Sequence, residues 1–137
     1  MADVNATEAK AWIIKAWRDL ETAKRTTSGT PPFYDVAVYH CRQAAEKAVK
    51  AFLVYHEKPY EKTHDIEVLI DLAGNVNSDF DTLADAADAL TPYATRFRYP
   101  NSTFAVEPQP AEYEEALQHA QTVYEFVFNL LPKEAKP

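Results

Sequence analysis

The sequence predicts an all-α fold: an up-down antiparallel four-helix bundle with an additional short helix, built as one domain over residues 1–137. Three observations carry this expectation. Apolar residues recur at three- and four-residue steps in five separate segments, which is the period of a helix with one buried face. Only 2 glycines occur in the whole chain, too few for a turn-rich β architecture. No segment alternates with period two between hairpin turns, and no internal repeat or low-complexity tract interrupts the pattern.

The elements follow in order. Asn5 with Glu8 three residues later resembles a capping box, so the first helix is expected to start there and to bury Ala9, Ile13, Ala16, Leu20, Ala23 and Thr27. Ser28-Gly29-Thr30-Pro31-Pro32 breaks it, and Pro32 suits the first position of the next helix. That second helix is expected over residues 33–56, with Ala37, Cys41, Ala44, Ala48 and Phe52 on its packed face. Tyr39, Arg42, Gln43, Glu46, Lys47 and Lys50 lie around its more polar, solvated side. Pro59 ends it. Thr63 is the expected cap of a short third helix with Ile66, Leu69, Ile70 and Ala73 inside, closed by Gly74-Asn75. Ser78 is the expected cap of a fourth, carrying Phe80, Leu83, Ala87, Leu90 and Ala94, in which Pro92 demands a kink or a split. The last helix opens at Pro110, repeats Tyr113, Leu117, Ala120, Tyr124, Val127 and Leu131, and stops at Pro132. Residues 133–137 are expected to fray.

Composition excludes several classes. At 47% apolar and 26% charged residues, the chain reads as an ordinary globular protein. The lone Cys41 allows no internal disulfide and no thiolate zinc cluster, which suits a reducing cytoplasm. No stretch has the length of a membrane span, and the start MADVNATEAK lacks the basic and apolar regions of a signal peptide. A net charge of −7 opposes general attraction to polyanions, so a nucleic-acid coat protein or a long-duplex DNA binder is not expected.

Against that background the position of two arginines stands out. Between Val76 and Thr95 lie four aspartates and no basic residue; then come Arg96 and Arg98, running into Tyr99-Pro100. Acid at the start and base at the end of one helix complement its dipole, which is one sufficient explanation. The other is anion capture: a guanidinium beside a proline-stopped backbone offers paired donors to phosphate or carboxylate. The connection over residues 99–109 is the one long link in the chain, and long irregular links in compact domains are frequently functional. Arg98, Tyr99, Arg96 and Asn101 are therefore candidate phosphate-binding residues, joined by Lys47 and Lys50 if the fold brings helix two alongside. A Glu46–Lys50 pair on a solvated face explains the lysines equally well.

The remaining polar residues point away from metals and nucleophiles. His40 reads as a half-buried packing residue, and His64 as part of a helix start. Glu61 and His64 have the E-x-x-H spacing of di-iron ligands, but they fall in a connection and no second copy exists. No metal or other cofactor is expected. The setting of a Ser/His/Asp or Cys/His site is missing, and so is a glycine-rich phosphate loop. Trp12 and Trp17 are expected as packing or interface anchors.

Together, YHCRQAAEKAVKAFLVYHEKP (39–59), THDIEVLIDLAG (63–74), RYP (98–100) and the opening WRDLETAK (17–24) strongly resemble the HEPN family, the higher eukaryotes and prokaryotes nucleotide-binding domains. The likeness spans nearly the whole chain and is carried by the order and spacing of the motifs. It implies an up-down helical bundle, a homodimer, and pairing with a small nucleotidyltransferase in a toxin–antitoxin-like system. Many relatives are metal-independent ribonucleases that use an arginine followed after four to six residues by histidine. Arg98 matches that arginine, yet no histidine lies between it and His119. The resemblance therefore implies a binding module without catalysis that holds nucleotide or RNA. Its alternatives are a ribonuclease toxin using Arg98 with a displaced histidine such as His40 or His64, and a structural dimerisation domain.

Overall fold

The structure, a computed structural model, describes residues 2–60, 62–94 and 107–137. Five α-helices form: α1 (Ala2–Thr26), α2 (Tyr34–Tyr55), α3 (Ile66–Gly74), α4 (Ala84–Leu90) and α5 (Pro110–Leu130). No strand occurs among the described residues. The fold is all-α, as expected.

Ring contacts give the directions. Tyr34 and Tyr113 meet at 5.7 Å where α2 and α5 begin, while Phe52, Phe80 and Phe126 stack in succession at 4.6 and 4.9 Å where both approach their ends. These two helices run parallel, and α1 and the segment over residues 78–94 run against them, giving the up-down order. α2 is the central element, touching α1, α3, α5 and the turn over Thr91–Ala94. Its alanines at 37, 44, 45, 48 and 51 are fully buried, and such short side chains let neighbouring backbones approach on several sides at once.

Several expected boundaries move for identifiable reasons. α1 begins at Ala2, so Asn5 lies within its first turn and does not cap it. α2 starts two residues after Pro32; Phe33 precedes it and donates its backbone N–H to Thr26 at 2.8 Å. Asp65, not Thr63, caps α3, accepting from the backbones of Glu67 and Val68, while the Thr63 hydroxyl accepts from Asp65 N. Asn77, not Ser78, takes the first free N–H of the next segment.

The fourth long helix is instead three pieces: a 3₁₀ turn over Ser78–Leu83, α4, and a second 3₁₀ turn over Thr91–Ala94. The second break falls where Pro92 removes a backbone donor, in line with the expected split. The C-terminal residues are not frayed. Lys133–Ala135 form a 3₁₀ turn against α1 that buries Ala135, and Lys136 lies 4.8 Å over the Phe128 ring. No helix among the described residues is long and apolar enough to cross a membrane.

Phe80 is fully buried between Phe52 and Phe126, so it ties the 78–94 segment to both parallel helices. Phe80→Ala is expected to destabilise the protein by about 3–5 kcal/mol in thermal or urea unfolding, the cost of a large unfilled core cavity.

Candidate functional site

On α2, Arg42, Glu46 and Lys50 succeed one another at four-residue steps and so share one stripe. The sequence pattern assigned that stripe to solvent. It is buried instead, with Arg42 at 4%, Glu46 at 2% and Lys50 at 3% exposure. α2 is central, and α3, its leading connection and the Thr91 turn cover the side that an outer helix would leave wet.

Glu46 organises the cluster. Its Oε2 accepts from Lys50 Nζ at 2.8 Å and from His64 Nδ1 at 2.8 Å, and its Oε1 lies 3.1 Å from an Arg42 guanidinium nitrogen. Arg42 also donates from Nη1 to the backbone carbonyl of His64 at 2.7 Å, which pins the residue preceding the α3 cap. Among the described residues, its Nε is buried without a hydrogen-bond partner, and so is Glu46 Oε1. The Lys50 ammonium is enclosed by aromatic faces, 5.5 Å from the Trp12 ring and 5.1 Å from Tyr60, which themselves meet edge to face. Burial alone would raise the Glu46 carboxyl, but hydrogen bonds from Lys50 and His64 and the charges of Lys50 and Arg42 outweigh it and hold the group below its ordinary range.

A second buried carboxylate joins α1 to α2. Asp19 accepts from Lys47 Nζ at 2.7 Å and from His40 Nδ1 at 2.8 Å. Burial again works upward, and the bonds from His40 and Lys47 more than offset it, so this carboxyl too is held low. Cys41 has no such partners: burial pushes its thiol up to about 12, which leaves it inert as a nucleophile.

Beside the Glu46 cluster opens a cleft of about 290 Å³, lined by Arg42, His64, Asp65, Ile66 and Thr91. The His64 side chain is 74% exposed, yet its Nδ1 is fixed by a buried carboxylate. An ionised carboxylate only accepts, so Nδ1 carries the proton and Nε2 is left for whatever occupies the cleft. No group of three or more His, Cys, Asp or Glu residues suited to a metal occurs among the described residues.

Of the residues singled out from sequence, Lys47 and Lys50 face different carboxylates: Lys47 turns to Asp19 on α1, and Lys50 turns inward to Glu46. The expected Glu46–Lys50 pair forms, but in the interior. Arg96, Arg98, Tyr99 and Asn101 lie outside the described residues, as does Glu61. His64 does not cap α3; its carbonyl and its imidazole are both tied to α2. Arg42 and Glu46 were not among the candidates. Their four-residue spacing with Lys50 was the available signal, and it reads the same for a solvated ion ladder.

Charge is unevenly spread around this cleft. Residues 63–95 hold seven of the 21 acidic side chains and none of the 14 basic ones, so the rest of the chain is formally neutral. All seven are exposed, on α3, its cap and the 78–90 segment.

This fold and these motifs meet in the family comparison: the model of the HEPN domain matches residues 9–132. The chain belongs to the HEPN family. Two solved structures are similar over nearly their whole length. The crystal structure of ST0689, an archaeal HEPN homologue, is 27% identical with a TM-score of 0.69, covering 89% of this chain and 96% of that one. The crystal structure of TT1696 from Thermus thermophilus is 29% identical with a TM-score of 0.71, covering 90% and 98%. No curated protein matches the chain by sequence.

The two depressed carboxyls make stability depend on acid. As pH falls below the ordinary values of 4.5 for Glu46 and 3.8 for Asp19, the unfolded chain takes up protons before the folded one does. Stability present at neutral pH is therefore lost as pH drops through the folded values. Urea unfolding between pH 7 and pH 3 should record this loss. Glu46→Gln should lower stability at pH 7 by about 3–5 kcal/mol, because it strands buried cations, and should flatten the acid dependence.

Proposed function

We propose that this HEPN domain is a binding module, not itself a catalyst, which holds a nucleotide or RNA phosphate at the Arg42–His64 cleft beside a small nucleotidyltransferase partner in a toxin–antitoxin-like pair. One observation carries the reading. Arg42 and Lys50 bring two basic groups to a single buried carboxylate, Glu46, so a surplus cation sits at the wall of an open cleft in a molecule of net charge −7. An unneutralised charge in a low-dielectric wall favours an anion.

The direct ligands in this reading are Arg98 and Tyr99, with Arg96 and Asn101 beside them. Arg98 follows Ala94 by four residues, a chain length of at most about 14 Å, and Thr91 in the same turn lines the cleft. Lys50, bonded to Glu46, contributes charge rather than contact, and Lys47, paired with Asp19 on α1, is not part of the cleft. A homodimer belongs to the same reading; Trp17, 47% exposed on α1, favours burial against a second protein surface.

A second reading, cleavage of RNA, draws on a separate observation. The missing histidine after Arg98 has a substitute in His64, whose imidazole is oriented by Glu46 and open to the cleft. A carboxylate-held imidazole of this kind is a competent proton acceptor.

Calorimetric titration with AMP, ATP and a short 5′-phosphorylated oligoribonucleotide separates these cases. The binding reading expects saturable affinity, weakened at least about tenfold by Arg98→Ala, the loss of one charge-assisted contact. Cutting of the oligonucleotide that disappears in His64→Ala selects the second reading. No binding and no cutting returns the chain to a structural dimerisation domain.

A further inference from the structure

Lys50 raises a question that its sequence position does not. A lysine that touched ligand would need an accessible ammonium, but this one is 3% exposed, roofed by Trp12 and Tyr60 and bonded to Glu46. It does not line the cleft. Burying an ammonium is costly, and an apolar side chain of similar length under the two rings would pack there without that cost.

The charges around the cleft show what the ammonium does there. Glu46 is shared by three groups: Lys50 and His64 on one oxygen, and Arg42 near the other. Without Lys50, Arg42 and Glu46 would cancel as a buried pair, and the wall of the cleft would be neutral. With Lys50 satisfying Glu46 from beneath, the carboxylate is divided between two cations, and the Arg42 charge at the cleft is only partly neutralised. Among the described residues, the other titratable groups that line the cleft are His64 and Asp65. Asp65 is exposed, where water screens it, and its Oδ1 accepts from Glu67 N and Val68 N at the start of α3.

From this geometry we infer that Lys50 is a positioning residue for charge: without touching the ligand, it shares the single negative charge of Glu46 with Arg42, leaves the Arg42 guanidinium only partly neutralised, and so makes the Arg42–His64 cleft selective for anions. This rests on the cleft being an anion site. It differs from the expectation of a phosphate-contacting lysine, and it assigns the aromatic enclosure a role, since Trp12 and Tyr60 keep water from screening the ammonium.

The test titrates the full-length protein with inorganic phosphate and with AMP, comparing wild type with Lys50→Met, Lys50→Arg and, as a control for net charge, Lys24→Met at the exposed end of α1. Lys50→Met should weaken both ligands by about tenfold or more, the effect of one unit of charge several ångströms away in a protein interior. Lys50→Arg should recover most of the affinity, and Lys24→Met should stay within about twofold. If Lys50→Met does not fold, as judged by circular dichroism, Lys50→Gln takes its place, because its amide can still donate to Glu46 without the charge. Wild-type binding that the neutral variants leave unchanged would sink the role of Lys50 while the anion site stands. Wild type that binds neither ligand would sink both.

Discussion

The Glu46 carboxylate, almost entirely removed from water, accepts from Lys50 on its own helix and from His64 at the approach to α3, and faces Arg42 one turn away. Much of the rest of the molecule depends on that arrangement. It fixes where the chain re-enters the bundle after α2, because Arg42 also holds the His64 backbone. It makes α2 a fully surrounded helix whose polar stripe is structural. A buried charge of this kind is tolerated only when its partners are in place, so the same cluster that positions the cleft also makes the local structure intolerant of change.

Asp19 repeats the arrangement on a smaller scale: a buried carboxylate, one lysine and one histidine, with donors and acceptor drawn from different helices. The two clusters tie α2 to α1 on one side and to the α3 approach on the other. The bundle is therefore registered along α2 by directional polar contacts, while the apolar core around them is packed from alanine, aliphatic and a few aromatic side chains. A helix surrounded by small residues could slide or rotate with little change in apolar contact; hydrogen bonds between named atoms do not permit this.

The helical architecture was legible because its signals are local and redundant. Apolar spacing located all five helices, Pro110 and Pro132 bounded α5, and Pro92 marked a break. What was not legible depends on three-dimensional context. Asp65 and Asn77 captured helix starts assigned to neighbouring hydroxyl residues, since an Asx side chain two residues back reaches the same donors. The break-up of residues 78–94 into three short pieces and the docking of Ala135 on α1 have no periodic signature. The site shows the same division. Lys47 and Lys50 were visible as cations, but whether a lysine on a helix faces solvent or a buried carboxylate is decided by what covers the helix. In this chain that cover comes from other parts of the fold: Trp12 and Tyr60 over Lys50, Asp19 against Lys47 and His64 against Glu46. Arg42 and the His64 imidazole became recognisable as cleft residues only after α3 had folded against α2.

The concentration of all the net negative charge on the α3–α4 side has a geometric consequence. Asp65 lines the cleft, and the other six carboxylates are exposed on α3 and the 78–90 segment. Water and salt screen each of these exposed carboxylates singly, so a small anion meets little repulsion, whereas a polyanion lying along α3 and α4 would meet several of them within a Debye length. Repulsion of this kind acts at a distance, so it opposes a long polyanion before any of its atoms reaches Arg42.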